Sequence, residues 1–190
     1  MGKTLDAEAV SFLEGERVSL VPARANSEIL RWINNPEVCQ FNSHAVFPTT
    51  ELPEIKNGLV LSILAKEGAS RSHIGNISLQ KIDWISRSAE LAILIGAKSI
   101  WGKGYGKEAS LLVCRHGFNA LNLHRIYCGT PEKNIGMQKI ALALGMRREG
   151  ISRQAFYKNG EYADILQYGI LREEFINAPG GFQQQQQPSK

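Results

Sequence analysis

An α/β domain on one mixed, largely antiparallel sheet of about six to seven strands, flanked by helices, is the fold class predicted by this 190-residue sequence. Three observations carry the prediction. Strand-length runs of β-prone and apolar residues, bounded by turn-forming residues, alternate with segments of helical spacing along most of the chain. A glycine cluster, Gly102-Lys103-Gly104-Tyr105-Gly106, stands between a strand-like and a helix-like segment. Near the end, Asn159-Gly160 separates two further strand-like runs and is the dipeptide preferred by a tight type I′ hairpin.

The elements follow in order. Arg17 to Val21 alternates polar and apolar side chains and stops at Pro22, which predicts a strand. Asn26 or Ser27 can cap a helix in which Ile29, Leu30 and Ile33 share a face, and Asn35-Pro36 ends it. A shorter helix is expected near Thr49 or Thr50, kept brief by Pro53 and Gly58. Leu59 to Ala65, His73 to Trp84 and Ala89 to Ile95 are three successive strands joined by turn-like segments. After the glycine cluster, Lys107 to Leu121 is a helix, Arg125 to Cys128 a strand, and Asn134 to Leu144 a helix closed by Gly145. The strand–helix–strand unit through Lys107–Leu121 implies one parallel crossover. Residues 1–14 form an N-terminal segment without a strong period, 15–176 the domain, and 177–190 a flexible Gln-rich tail.

Composition narrows the function. Hydrophobic residues at 43% and charged residues at 21% suit a globular core over most of the length. The formal charge of +4 fits a phosphorylated partner, but the basic residues form no patch, so nucleic-acid binding is not expected. Cys39, Cys114 and Cys128 form no CxxC pair, which predicts neither a disulfide framework nor a metal site. No leader and no membrane-spanning apolar run is visible, so a cytoplasmic protein without a membrane partner is expected.

The stretch from Ile93 to Ala109 is the most informative. A helix start presents unpaired N–H groups and partial positive charge to an anion, and glycines let the backbone approach it closely. Lys103 and Lys107 add full charges nearby. A nucleoside-triphosphatase loop does not fit, because the spacing is wrong and Glu108 follows Lys107 where Ser or Thr is needed. A dinucleotide-binding loop does not fit either, since G-x-G-x-G occurs late in the chain instead of G-x-G-x-x-G early.

The stretch Trp101-Gly102-Lys103-Gly104-Tyr105-Gly106-Lys107-Glu108-Ala109 resembles the pyrophosphate-binding motif of the GNAT acyltransferase superfamily, with Trp101 where Gln or Arg is frequent. The resemblance spans about Phe12 to Phe175. It includes Trp32 to Val38, Asn122-Leu123-His124-Arg125 and Asn159-Gly160-Glu161-Tyr162. It is greatest to the branch holding ribosomal-protein N-terminal acetyltransferases and bacterial small-amine and amino-sugar acetyltransferases. The resemblance implies acetyl-CoA as cosubstrate, with Trp101 to Lys107 at its pyrophosphate. Its pantetheine arm would then lie where strands Ala89–Ile95 and Arg125–Thr130 splay, with backbone groups of Leu94, Ile95 and Ala97 pairing its amides. Asn134 matches a cofactor-contacting Asn of the family, and Met137 and Lys139 are expected along the same channel; by itself, Asn134 also reads as a plain helix cap.

Acetyl transfer to an amine needs a proton acceptor, because an alkyl ammonium with pKa ~10.4 is charged at neutral pH. Glu90 matches the family's acidic strand position and is the catalytic candidate. The family's usual acid, a Tyr in the helix after Asn134, is replaced by Ala141. Tyr157, Tyr127 and Cys128 are substitute candidates. For the acceptor amine, His44, Tyr157 and Asp164 are the candidates, on the segments that build the family's acceptor pocket. The function implied is direct acetyl transfer within a ternary complex to a primary amine of a small polar molecule, an amino sugar ahead of other amines. A non-catalytic acyl-CoA-binding protein and an acetyltransferase of protein N-termini are the alternatives, and a homodimer is compatible with all three.

Overall fold

In a computed structural model of the chain, residues 10–23, 27–42, 47–51, 55–68 and 70–177 are described. His44 and the expected tail beyond Asn177 lie outside them. The centre is an antiparallel meander of β3 (Leu59–Glu67), β4 (Ser70–Asp83) and β5 (Ser88–Ile95), flanked by β2 (Val18–Pro22) and the two-residue β1 (Leu13–Glu14). After α2 (Tyr105–Asn119), β6 (Arg125–Pro131) returns parallel to β5. α3 (Ile135–Ala143) leads to the hairpin of β7 (Arg147–Lys158) and β8 (Glu161–Leu171), and α4 (Arg172–Asn177) follows. Among the described residues the sheet has eight strands in the order β1-β2-β3-β4-β5-β6-β8-β7. The count exceeds the expected six to seven because β1, a pairing of only two residues with Leu20 and Ser19, has no periodicity of its own to read.

Alternation of side chains divides the sheet into two faces. On one, Val18, Leu20, Ile63, Ile77, Leu79, Leu91 and Ile126 are buried with Ala109, Val113, Cys114 and Phe118 of α2. The other face carries Ser19, Ser62, Asn76, Ser78, Gln80, Glu90 and Tyr127 by the same registers. α1 (Ser27–Ile33) and the turns after it lie against this second face. The Trp32 ring stacks on His73 at 4.8 Å, and the Lys158 ammonium donates to the carbonyls of Cys39 and Asn42 (3.0 Å to Asn42).

The hairpin turn forms as expected: Asn159 (φ 53°) and Gly160 (φ 85°) are both left-handed, as a type I′ turn requires. The short helix expected near Thr49 is absent among the described residues, where bends and turns stand instead. The competitor is Asn34 at the end of α1. Its amide donates to the Thr49 carbonyl at 2.8 Å, and its Oδ1 accepts from the Thr49 N–H at 2.9 Å, so the backbone groups that would start a helix are engaged.

Candidate functional site

Parallel pairing of β5 with β6 covers only Ser88, Ala89 and Glu90 against Arg125, Ile126 and Tyr127. Beyond Glu90 the strands separate. Ala92 to Ile95 are therefore half-exposed in a central strand, and Gly129 is exposed on the opposite wall. Backbone groups along such a cleft need partners, which an extended, amide-bearing chain can supply. The Thr130 hydroxyl, in a residue only 1% exposed, has no hydrogen-bond partner among the described residues.

The glycine cluster closes the open end of the cleft. A single 3₁₀ turn at Lys98–Ile100 precedes it. The Trp101 indole N–H then donates to the Ile95 carbonyl at 2.9 Å, folding the loop back onto the strand end. Gly102 (φ 75°) and Gly104 (φ 88°) are left-handed, and Gly104 caps α2 without a side chain. A Cβ at Gly106 would come 3.2 Å from Ile140 Cδ1 and 3.4 Å from Ile93 Cδ1, so its bareness lets α2 seat against β5 and α3. The 15-residue α2 starts directly after the loop, with exposed Lys103 and Lys107 beside its first N–H groups, and a helix start of this kind carries partial positive charge.

Arg17 is a residue that the sequence reading missed. Its guanidinium donates to Glu108 Oε2 (3.0 Å) and to the Lys103 carbonyl (2.9 Å) and lies 5.0 Å from the Tyr105 ring centroid. Glu108 also accepts from the backbone N–H groups of Arg17 (2.7 Å) and Val18 (3.2 Å). The partners are 91 residues apart in sequence, and no local pattern announces them.

Of the backbone positions expected to meet the pantetheine arm, two are engaged within the chain. The Ile95 carbonyl holds Trp101, and the Ala97 N–H donates to the Ile74 carbonyl at 3.3 Å. Leu94 lies on the cleft strand, half-exposed. Asn134 is the N-cap of α3, its Oδ1 accepting from the Met137 N–H at 3.2 Å. Met137 is half-buried and Lys139 exposed on α3, while Ala141 is fully buried in the core.

Glu90 sits in the last residue pair before the strands part, its side chain 19% exposed. Lys81 Nζ is 2.8 Å from its Oε2, and the Gln80 amide donates to it at 3.3 Å. Lys81 reaches this position from a β4 irregularity where its own φ is 52°. The hydrogen bond to Glu90 and that carboxylate's charge raise the Lys81 pKa. Across the strands on the same face stands Tyr127, with the Arg125 guanidinium 5.8 Å from its ring centroid. Cys128 points to the core; burial pushes its thiol up to about 12, and it lies 3.7 Å from the Met146 sulfur.

Tyr157 and Asp164 stand elsewhere. Counting along β8 from Gly169, opposite Tyr127, puts Gln167, Ile165 and Ala163 on the Glu90 face and Asp164 and Tyr162 on the other. Tyr157 pairs with Tyr162 at the hairpin tip, their rings 4.8 Å apart. Asp164 accepts from the Gln154 N–H at 2.8 Å and, with Arg153 and Gln154, lines an open depression. The hairpin side chain that reaches the segment after α1 is Lys158.

Comparison with known proteins agrees with this architecture. The chain is 38% identical over 73 residues to an uncharacterized N-acetyltransferase of Bacillus subtilis, YnaD, covering 38% of this chain and 43% of that one. It is 32% identical over 111 residues to the spermidine N(1)-acetyltransferase of Vibrio cholerae, covering 58% and 64%. The chain thus spans less than two thirds of either relative. A crystal structure of the Vibrio cholerae spermidine N-acetyltransferase with CoA and spermine superposes with a TM-score of 0.74 over 85% of this chain and 99% of that one, at 23% identity, a likeness of fold. The family model for the acetyltransferase (GNAT) domain matches residues 12–147. With the parted β5 and β6 and the glycine loop at their open end, this match shows that the chain belongs to the GNAT acetyltransferase family.

Proposed function

We propose that this protein is an acetyl-CoA-dependent N-acetyltransferase that transfers acetyl directly, in a ternary complex, to a primary amine of a small polar acceptor. The observation that carries the reading is the cleft itself: it runs from a glycine-preceded helix start to a carboxylate, Glu90. The pyrophosphate of acetyl-CoA would lie on the N–H groups of Tyr105, Gly106 and Lys107, with Lys103 and Lys107 adding charge. The arm would follow Ala92 to Ile95, with the Thr130 hydroxyl as a buried partner. Glu90 would take the proton of the attacking amine, directly or through one water. Lys81 and Gln80 hold the Glu90 carboxylate in place.

Charge around the Glu90 face supports an acceptor with a single amine. Glu90 is paired with Lys81, Glu37 with Lys98, and Glu28 with His73 at 3.3 Å. A polycation favours several carboxylates, whereas a single amine on a hydroxyl-rich body favours neutral polar groups; this face carries Asn76, held on His73 at 2.9 Å, buried Ser78, and Gln80, held on Glu90. An amino sugar fits best. The second reading, a polyamine, is favoured by the similarity to spermidine acetyltransferases.

The test is release of coenzyme A thiol from acetyl-CoA across nucleotide-linked amino sugars, aminoglycosides, polyamines and short peptides. Expected is turnover with the amino sugars and a kcat lowered ~10²–10⁴-fold by Glu90→Gln. Turnover with polyamines alone moves the acceptor to the second reading. Acetyl-CoA binding with no turnover across the panel sinks the enzyme reading and leaves an acyl-CoA-binding protein.

A further inference from the structure

We propose that Tyr127 is the general acid that protonates the departing coenzyme A thiolate, an inference that rests on acetyl transfer at the cleft as proposed above. The chain has five tyrosines, all of them described. Tyr105 lies at the start of α2 beneath the Arg17 guanidinium. Tyr168 is 4% exposed and belongs to the core. Tyr157 and Tyr162 stack on each other at the hairpin tip, on the face opposite Glu90 by the alternation of β8. Tyr127 alone stands on the Glu90 face, at the register position where β5 and β6 part, half-buried.

The other candidates have no proton to give at that place. Ala141 is fully buried in the core and carries no hydroxyl. Cys128 is 1% exposed, faces the core sulfur of Met146, and holds its proton too tightly. Adjacent strands run ~4.8 Å apart, so Glu90 and Tyr127 project side by side from the end of the cleft. Arg125, ion-paired with Glu149, lies against the Tyr127 ring, and Lys81 holds the neighbouring Glu90, so the tyrosine stands among fixed charged groups.

The step balances within this pair. The neutral amine nitrogen bonds to the thioester carbon, and Glu90 removes a proton from that nitrogen. As the carbon–sulfur bond breaks, its electron pair goes to sulfur and the Tyr127 hydroxyl proton follows. The protonated Glu90 then returns its proton to the Tyr127 phenolate, directly or through one water. The net change is amine and thioester to amide and thiol, with both side chains restored.

Tyr127→Phe keeps the ring and its place beside Arg125 and removes only the hydroxyl. Expected is a ~10²–10³-fold loss of kcat with acetyl-CoA and little change in its KM. An acetyl thioester of an electron-poor aryl thiol, whose thiolate leaves without a proton, supplies the deciding control. With that donor, wild type and Tyr127→Phe should have nearly equal kcat/KM, whereas a purely structural defect would persist. A variant within about threefold of an active wild type, or one equally impaired with both donors, overturns the role of Tyr127 while leaving the enzyme reading intact. A wild type that binds acetyl-CoA yet acetylates no amine overturns both.

Discussion

Gly96 shows how much a missing side chain can decide. It ends β5 at the mouth of the cleft, and a Cβ there would lie 1.8 Å from Cδ2 of Trp32. The indole of α1 therefore rests directly on the strand exit, on the face where acceptor and thioester would meet. Gly96→Ala is expected to push the ring off and destabilise the fold by ~1–3 kcal/mol, as overpacking does. Urea unfolding of Gly96→Ala, Trp32→Ala and the double variant checks the cause. If the methyl acts through Trp32, its cost shrinks when the ring is absent; equal costs in both backgrounds would assign it to the backbone. Asn134 as a helix cap and the loop glycines were legible in the sequence because each belongs to a local motif, while Glu90 was offered only through the family resemblance. Arg17 and Lys81 were not, since each engages a partner on another strand or helix, and Tyr127 was only one of three substitute acids until the register placed it beside Glu90.

Among the elements, α3 separates two roles that one residue can hold. Asn134 caps the helix through Oδ1, and its position at the open end of the cleft suits a cofactor contact as well. Asn134→Ala is expected to cost about 1 kcal/mol of stability by loss of the cap, while Asn134→Asp or Asn134→Ser keeps most of it. Thermal melts paired with acetyl-CoA KM measurements divide the roles: a KM that rises in the capping-competent variants also marks a cofactor contact, and an unchanged KM marks a cap alone. The segment at Thr49 teaches the opposite lesson. Its signal was local, while the described Thr49 backbone is held by the side chain of Asn34, 15 residues away, and residues 52–54 of the expected helix lie outside the described residues.

At the scale of the molecule, the edge of the sheet carries a pH-sensitive joint. Burial pushes the Glu14 carboxyl up, but hydrogen bonds from Lys66, Ser11 and Ser19 and the Lys66 charge outweigh it and lower its pKa from 4.5 to about 2. A carboxyl depressed on folding contributes stability that is present above its unfolded pKa and lost as pH falls through the folded one. The contribution of Glu14 should therefore fade between about pH 4.5 and pH 2. It is modest, because the group is nearly half exposed. Thermal unfolding at stepped pH checks it: Glu14→Gln should lower Tm near neutrality and converge with wild type near pH 2. A constant difference between the two across that window would remove Glu14 from the account of acid stability.

The sequence by itself determined the fold class, the strand–glycine–helix order around Gly102 to Gly106 and the type I′ hairpin. All of these are written in residues close along the chain, where periodicity, positive-φ glycines and capping act locally. Only the tertiary structure decided that β5 and β6 pair for three residues and then part. It also decided that Arg17 and Glu108 tie the glycine loop to β2, that Tyr157 and Asp164 face away from Glu90, and that Tyr127 stands beside it. Side-chain period assigns a face only once the register between strands is known, and register comes from burying the whole sheet at once.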